Sequence, residues 1–279
     1  QLLGRPAGDG LITIRETDRM LVLSCEQFTY VFNKLTGLFD KMTFANEPLL
    51  DQPMGFNVWR APTDNDRKLK ADWYAAHYDH AATNAYHTEY TVTASGVTLH
   101  THVGIAAICV QKFLDLDVTW TVANNGSVDL ALHAQRNTVF PELPRFGLRL
   151  FLPQEMSQVN YYGMGPMECY CDKHHAASHN SYTATVWQLH EDYIRPQENG
   201  SHFDCDYVML AGDAVRLTAV GTQPFSFNAS HYTQEELTRK AHNYELEPCG
   251  STVLCLDYAQ NGIGSESCGP RLLEQYRLD

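Results

Sequence analysis

The side chains in this 279-residue sequence with the means to move protons, attack carbonyls or hold metals are 33 Asp and Glu, 13 His and 8 Cys. Cleaving an acetal needs two carboxylates about 5 to 9 Å apart, one as acid and one as nucleophile or base. With so many carboxylates, pairs close in sequence arise by chance and decide nothing. His133, His175 and His231 with Glu198 could open a sugar ring by general acid–base catalysis; the plainer reading is surface histidines, or core histidines with satisfied nitrogens. Cys169-x-Cys171-x-x-His174-His175 has zinc-like ligand types, but structural zinc takes its ligands as two well-separated sets, and a second set is missing. The cysteines, Cys25, Cys109, Cys169, Cys171, Cys205, Cys249, Cys255 and Cys268, are scattered without a CxxC pair. In a chain this long that is the pattern of free thiols. GxSxG, HExxH, GxGxxG and GxxxxGK[ST] are all absent, so no motif signals a nucleophilic triad, a zinc protease, a dinucleotide site or an NTPase. One more stretch stands out. Residues 262–270, GIGSESCGP, place Cys268 beside Ser267 and Glu266 in a glycine-rich loop with no apolar stripe to bury. Nothing basic lies beside Cys268 in sequence to draw out a thiolate, so it is not expected to be a nucleophile.

Aromatic residues are 11% of the chain. Sugar rings present apolar C–H faces that stack on such side chains, with hydrogen bonds around the rim. Asn160-Tyr161-Tyr162-Gly163, Trp59, Trp73 and Trp187 could serve in that way, or simply pack the core. The formal net charge is −13. An acidic surface repels phosphate backbones and anionic headgroups, so neither nucleic acid nor a membrane surface is an expected partner. The longest apolar run, around Ile105 to Val110, is far short of the ~20 residues of a membrane span. The first residues, QLLGRPAGDG, show no basic region followed by an apolar core. A cytoplasmic location is the expectation.

The elements that must position these residues read mostly as strands. Alternation or β-rich runs mark 11–15, 20–24, 28–32, 38–44, 89–93, 97–103, 110–122, 130–139, 146–152, 158–162, 215–220, 225–228, 252–257 and 272–278. Asn33-Lys34-Leu35-Thr36-Gly37 is a hairpin turn, and Asn124-Asn125-Gly126-Ser127 is another turn signal. Thr233-Gln234-Glu235-Glu236 is a capping box that should start a helix running to about His242. A shorter helix is expected over 69–77. Many strands and a single well-signalled helix mean an all-β sandwich or barrel, and one large domain over 1–279 is the simplest organisation. Two long polar loops, 53–88 and 163–205, are expected to be functional or interfacial.

Five motifs then converge in order. Trp59-Arg60-Ala61-Pro62-Thr63-Asp64-Asn65-Asp66, Tyr162-Gly163-Met164-Gly165-Pro166-Met167-Glu168-Cys169-Tyr170-Cys171-Asp172, Pro196-Gln197-Glu198-Asn199-Gly200, Phe225-Ser226-Phe227-Asn228-Ala229-Ser230-His231-Tyr232 and GIGSESCGP span most of the chain. Together they resemble the C-terminal domain of family 2 β-galactosidases, which implies either a domain of a longer chain or the small subunit of a two-chain enzyme. The resemblance implies a β-supersandwich of two large antiparallel sheets, galactose-mutarotase-like. It implies hydrolysis of terminal β-D-galactosides such as lactose, with retention, by the whole enzyme. It places the two catalytic glutamates on a separate TIM barrel, with magnesium and sodium or potassium bound there. No catalytic residue, cofactor or metal is then expected in this chain, and the chain alone is expected to be inactive.

The same resemblance assigns Glu266, Ser267 and Cys268 to the pocket for the leaving-group sugar, the aglycone subsite, where some branches use a tryptophan to stack. It assigns Arg60, Asp64, Asn65 and Asp66 to a loop at the junction with the barrel. These four could equally satisfy one another as a loop-fixing network. The chain departs from many relatives at Arg67-Lys68-Leu69-Lys70, where they carry a glycine-containing lid. Expected partners are the barrel domain, a β-galactoside and further copies of the whole enzyme. Two other readings share the fold: a stand-alone carbohydrate-binding module, and a mutarotase-like epimerase.

Overall fold

The computed structural model describes residues 10–264 and 267–279, and it is all-β, built from antiparallel strands. The chain divides into two compact units, one of Gln1–Gly55 with His80–Phe140, the other of Phe56–Asp79 with Pro141–Asp279.

The first unit holds a five-stranded and a four-stranded sheet. In the five-stranded sheet, Thr13–Glu16, Met20–Ser24, Phe28–Asn33, Leu38–Phe44 and Glu47–Pro48 follow in sequence order. In the four-stranded sheet the order is Val128–Arg136, Leu114–Ala123, Gly96–Ala106, Ala82–Thr93. Alternation decides which face is buried: Leu21, Leu23, Phe32 and Phe39 meet Leu99, Val103, Leu116 and Trp120 in one core. Phe39 and Trp120 pack edge to face at 5.3 Å, and the Trp120 indole N–H donates to the Gly37 carbonyl at 3.0 Å. Gly37 closes the expected hairpin at φ 74°, and a Cβ there would lie 2.8 Å from Val103, so the turn needs glycine.

The second unit is organised on a seven-stranded sheet. Its order is Ser178–Thr185, Gln158–Gly165, Ser201–Ala211, Arg216–Ser230, Ser251–Gln260, Arg145–Pro153, Gln52–Asn57. Ser251–Gln260 is buried along nearly its whole length, the mark of an interior strand.

Several local expectations are corrected. The segment 272–278 is not a strand: it forms a short 3-10 turn, Glu274–Tyr276. Its backbone is used singly, with Gly262 N–H donating to Tyr276 O at 2.8 Å and Leu143 N–H to Leu278 O at 3.0 Å, so no ladder forms. The runs 215–220 and 225–228 are one long strand, Arg216–Ser230. The second long loop contains the strand Ser178–Thr185 and the start of Ser201–Ala211. The first contains the helix Leu69–Ala75 and the start of Ala82–Thr93. That helix begins within the run Arg67-Lys68-Leu69-Lys70.

The 233–242 helix is shorter than expected, Gln234–Arg239. Thr233 does cap it, accepting from Glu236 N–H at 3.1 Å. The Glu236 carboxylate does not return to the cap; it accepts from Glu247 N–H at 3.0 Å and from Arg239 at 2.5 Å. Among the described residues no helix is long and apolar enough to cross a membrane.

Candidate functional site

Residues 58–66, 166–172, 196–200 and 261–264 lie on connections at the ends of strands of the second unit, and buried charge fastens those connections together. Arg60 is fully buried. Its guanidinium forks onto Asp66, with Nε to Oδ2 at 3.2 Å and Nη2 to Oδ1 at 2.7 Å. The remaining donors go to the carbonyls of Asn261 and of Gly262, the latter at 3.0 Å, and the planar group sits 5.2 Å from the centre of the Trp73 ring. Burial works against a charge on Arg60, but Asp66 overrides it and holds the guanidinium above its ordinary value. Asp66 Oδ2 also accepts from Thr63 N–H at 2.9 Å and Thr63 Oγ1 at 3.1 Å, which shapes the turn Asp64–Arg67. The loop-fixing network is therefore real, and it reaches beyond its own loop to the residues that begin the glycine-rich stretch.

That stretch is held from two further sides. The Asp172 carboxylate accepts from Ile263 N–H at 2.9 Å and Gly264 N–H at 2.7 Å. Asn65 donates its amide to Gly264 O at 2.6 Å and accepts from Ser267 Oγ at 3.1 Å. Gly264 has φ 70°, and a Cβ on Gly262 would lie 2.7 Å from the Asp172 carboxyl carbon. Both glycines are thus required by the geometry. Asp64 N–H donates to Gln197 Oε1 at 3.0 Å, which joins the third motif to the first. Asn65 and Ser267 are in contact, and Cys268 follows with its side chain exposed. Glu266 lies outside the described residues.

A second buried cluster supports the first. Arg145, fully buried, forks onto Asp257, with Nε to Oδ1 at 3.0 Å and Nη2 to Oδ2 at 2.5 Å, and donates Nη1 to Glu198 Oε1 at 2.9 Å. Glu198 also has its backbone N–H on Ala61 O at 3.0 Å. Burial raises the Glu198 carboxyl above its ordinary value, opposed first by Arg145 and then by Arg60. Glu168 ties the second motif to the third: it accepts from Lys173 at 2.6 Å, Tyr193 at 2.5 Å and Gly200 N–H at 2.9 Å. Burial opposes its charge, but these donors hold it below the usual range.

The structure does not assemble the histidine sites considered from sequence. Glu198 faces Arg145 instead of an imidazole. His231 Nδ1 lies 3.3 Å from Ser251 O and its ring 4.6 Å from Trp187, His175 rests on His174, and His133 belongs to the first unit. His174 turns back to Tyr170 O, Cys171 to Gln260 O and Cys169 to Met164 O. All eight cysteines are free thiols, and the described residues contain no group of three or more His, Cys, Asp or Glu able to hold a metal ion. Trp59, Trp73 and Tyr161 are core residues, whereas Trp187 and Tyr162 remain partly exposed.

His202 was missed from sequence because nothing near it in the chain marks it. Its ring packs on Tyr161 and Phe227, with Nδ1 3.2 Å from Met164 O and 3.1 Å from Tyr161 Oη. Burial lowers its pKa from 6.5 to about 4. The folded state therefore holds it neutral while the unfolded chain takes up a proton first. Stability contributed by this residue is intact above pH 6.5 and is lost as pH falls toward 4. The full loss is about 3 kcal/mol. Urea midpoints of the native chain should fall across that window, and His202→Phe should show a shallower fall over the same window. Equal slopes would remove His202 from the acid limb.

Comparison with known proteins gives consistent matches. The family model described as "Beta galactosidase small chain" matches residues 24–279. A β-galactosidase of Actinobacillus pleuropneumoniae is 44% identical over 90% of this chain and 25% of its own length. One from Staphylococcus xylosus is 38% identical over 96% of this chain and 27% of its own length. The chain thus spans about a quarter of the curated relatives it matches. Among solved structures, a galactose mutarotase-like protein from Lactobacillus casei covers 88% of this chain and 90% of its own, with 9% identity and a TM-score of 0.48.

Proposed function

The chain belongs to the β-galactosidase small-chain family, and from that premise we propose that it is the C-terminal domain of a family 2 β-galactosidase that completes the aglycone side of the active site. The reaction is hydrolysis of terminal β-D-galactosides with retention, which requires a carboxylic acid and a carboxylate nucleophile about 5 Å apart. Those two groups belong to the remainder of the enzyme, on a barrel domain that also binds its magnesium and sodium or potassium. Three buried carboxylates near the glycine-rich stretch are committed elsewhere: Asp66 faces Arg60, and Asp257 and Glu198 face Arg145. A carboxylate already neutralised by a buried guanidinium is a poor nucleophile and a poor acid. The whole enzyme is cytoplasmic and assembles with further copies of itself.

The observation that carries this reading is the fastening of the glycine-rich stretch. Arg60 and Asn65 from one connection and Asp172 from another grip 261–264, and Ser267 is seated on Asn65 with Cys268 exposed beside it. A rigid support ending in an exposed small side chain suits a wall that a leaving-group sugar passes. Cys268 acts there by size. In enzyme reconstituted with the remaining domains, Cys268→Trp should change the ratio of kcat/KM between lactose and an aryl galactoside several-fold, and Cys268→Ser should retain hydrolysis of both. Complete loss of hydrolysis in Cys268→Ser would contradict the role.

A further inference from the structure

The sheet of the second unit is broken at one level. Along Ser201–Ala211 the pairing register shifts between His202 and Cys205 and again between Cys205 and Tyr207. On the facing strand, Tyr207 pairs with Val220 but Cys205 pairs with Phe225, so residues 221–224 leave the ladder. Asp204 sits in the left-handed region at φ 54°, a sparsely populated conformation for a residue with a Cβ. Bulges bend a strand and re-aim its side chains, and they recur next to binding sites.

A cleft of about 220 Å³ opens at this break, lined among others by Phe203, Asp204, Phe225, Tyr258, Ala259 and Gln260. Its volume equals roughly seven molecules of liquid water, room for one small ring and not for a chain of them. Its chemistry is specific in two respects. Four aromatic side chains, Tyr170, Phe203, Phe225 and Tyr258, supply apolar walls. Its polar side chains include the Asp204 carboxylate, the Ser226 hydroxyl and the Gln260 amide, whose Oε1 is buried without a hydrogen-bond partner. The Gln260 amide nitrogen is already used, on Ser201 Oγ at 2.9 Å and Asp257 Oδ2 at 3.2 Å.

A fitting ligand therefore brings hydroxyl groups, which both donate and accept, on its rim and an apolar C–H face. The Asp204 carboxylate and the net charge of −13 disfavour an anion. We infer that this cleft is a binding site for one neutral hexopyranose. It shares no lining residue with Arg60–Asp66, Ser267 or Cys268, and it does not depend on the role proposed for them.

The test is titration of the 279-residue chain alone, followed by NMR, with D-galactose, D-glucose and D-galacturonate. Saturable binding of a neutral hexose, with a dissociation constant on the order of millimolar, is expected, and weaker binding of the uronate. Ala259→Phe fills the cleft and Tyr258→Ala removes an exposed wall; each should weaken binding at least tenfold. Tyr258 is 62% exposed, so its truncation spares the core and decides the matter if Ala259→Phe does not fold. No saturable binding, or binding unchanged by the folded variants, overturns the inference. Because no hydrolysis is measured, this outcome is separate from that of the proposed function.

Discussion

Arg145→Met should largely unfold the chain. The substitution leaves Asp257 and Glu198, both buried, without the guanidinium that donates to each of them. Removing one partner of a buried ion pair costs about 3 to 5 kcal/mol, because the remaining charge is stranded. Here two carboxylates are stranded at once, so the loss belongs at the upper end of that range. A domain stable by about 5 to 15 kcal/mol has little margin against it. The companion variant Arg145→Met, Glu198→Met, Asp257→Leu replaces the whole cluster with apolar groups and should recover much of the loss. Urea denaturation reads both. A single variant within about 1 kcal/mol of the native chain would show that the cluster is not what joins these strands.

Arg60 carries the second large effect, and it differs in kind. Its four hydrogen bonds join Asp66 to the carbonyls of Asn261 and Gly262, so losing it both strands Asp66 and releases the glycine-rich stretch. Arg60→Ala should cost about 3 to 5 kcal/mol. Arg60→Lys keeps the charge but cannot make the fork or lie flat on Trp73. It should fold, exchange the Gly262, Ile263 and Gly264 amides faster, and support at least tenfold less hydrolysis in the reconstituted enzyme. Unchanged exchange and activity in Arg60→Lys would reduce Arg60 to a core charge with no bearing on the loop.

Much of the architecture was open to reading because alternation exposes it. Met20–Ser24 and Leu38–Phe44 were placed to the residue, and the hairpin at Gly37 announced itself by its turn residues. The strands that escaped lack the signal. Ser178–Thr185, SHNSYTAT, has no apolar face, and Ser201–Ala211 carries a bulge that interrupts its period. At 272–278 the opposite happened: LLEQYRL, with Leu272, Leu273, Tyr276 and Leu278, invites a strand reading, but its amides pair with scattered partners.

The candidate site was legible as motifs and not as a network. Arg60 and Asp66 are close in sequence, so their pairing could be suspected. Asp172 grips Gly264 from 92 residues away and Arg145 grips Asp257 from 112, distances at which spacing says nothing. Glu198 was singled out as an acid for a histidine, yet its partner is an arginine that no local pattern flags.

The most direct measurement is hydrolysis of a chromogenic β-galactoside by this chain alone, and then with the remaining domains of the enzyme added. No activity alone and activity restored in the mixture is the expected result, and it would place the reacting carboxylates outside these 279 residues. Clear activity from the chain alone would contradict it, and would require an acid and a nucleophile among the carboxylates of this chain.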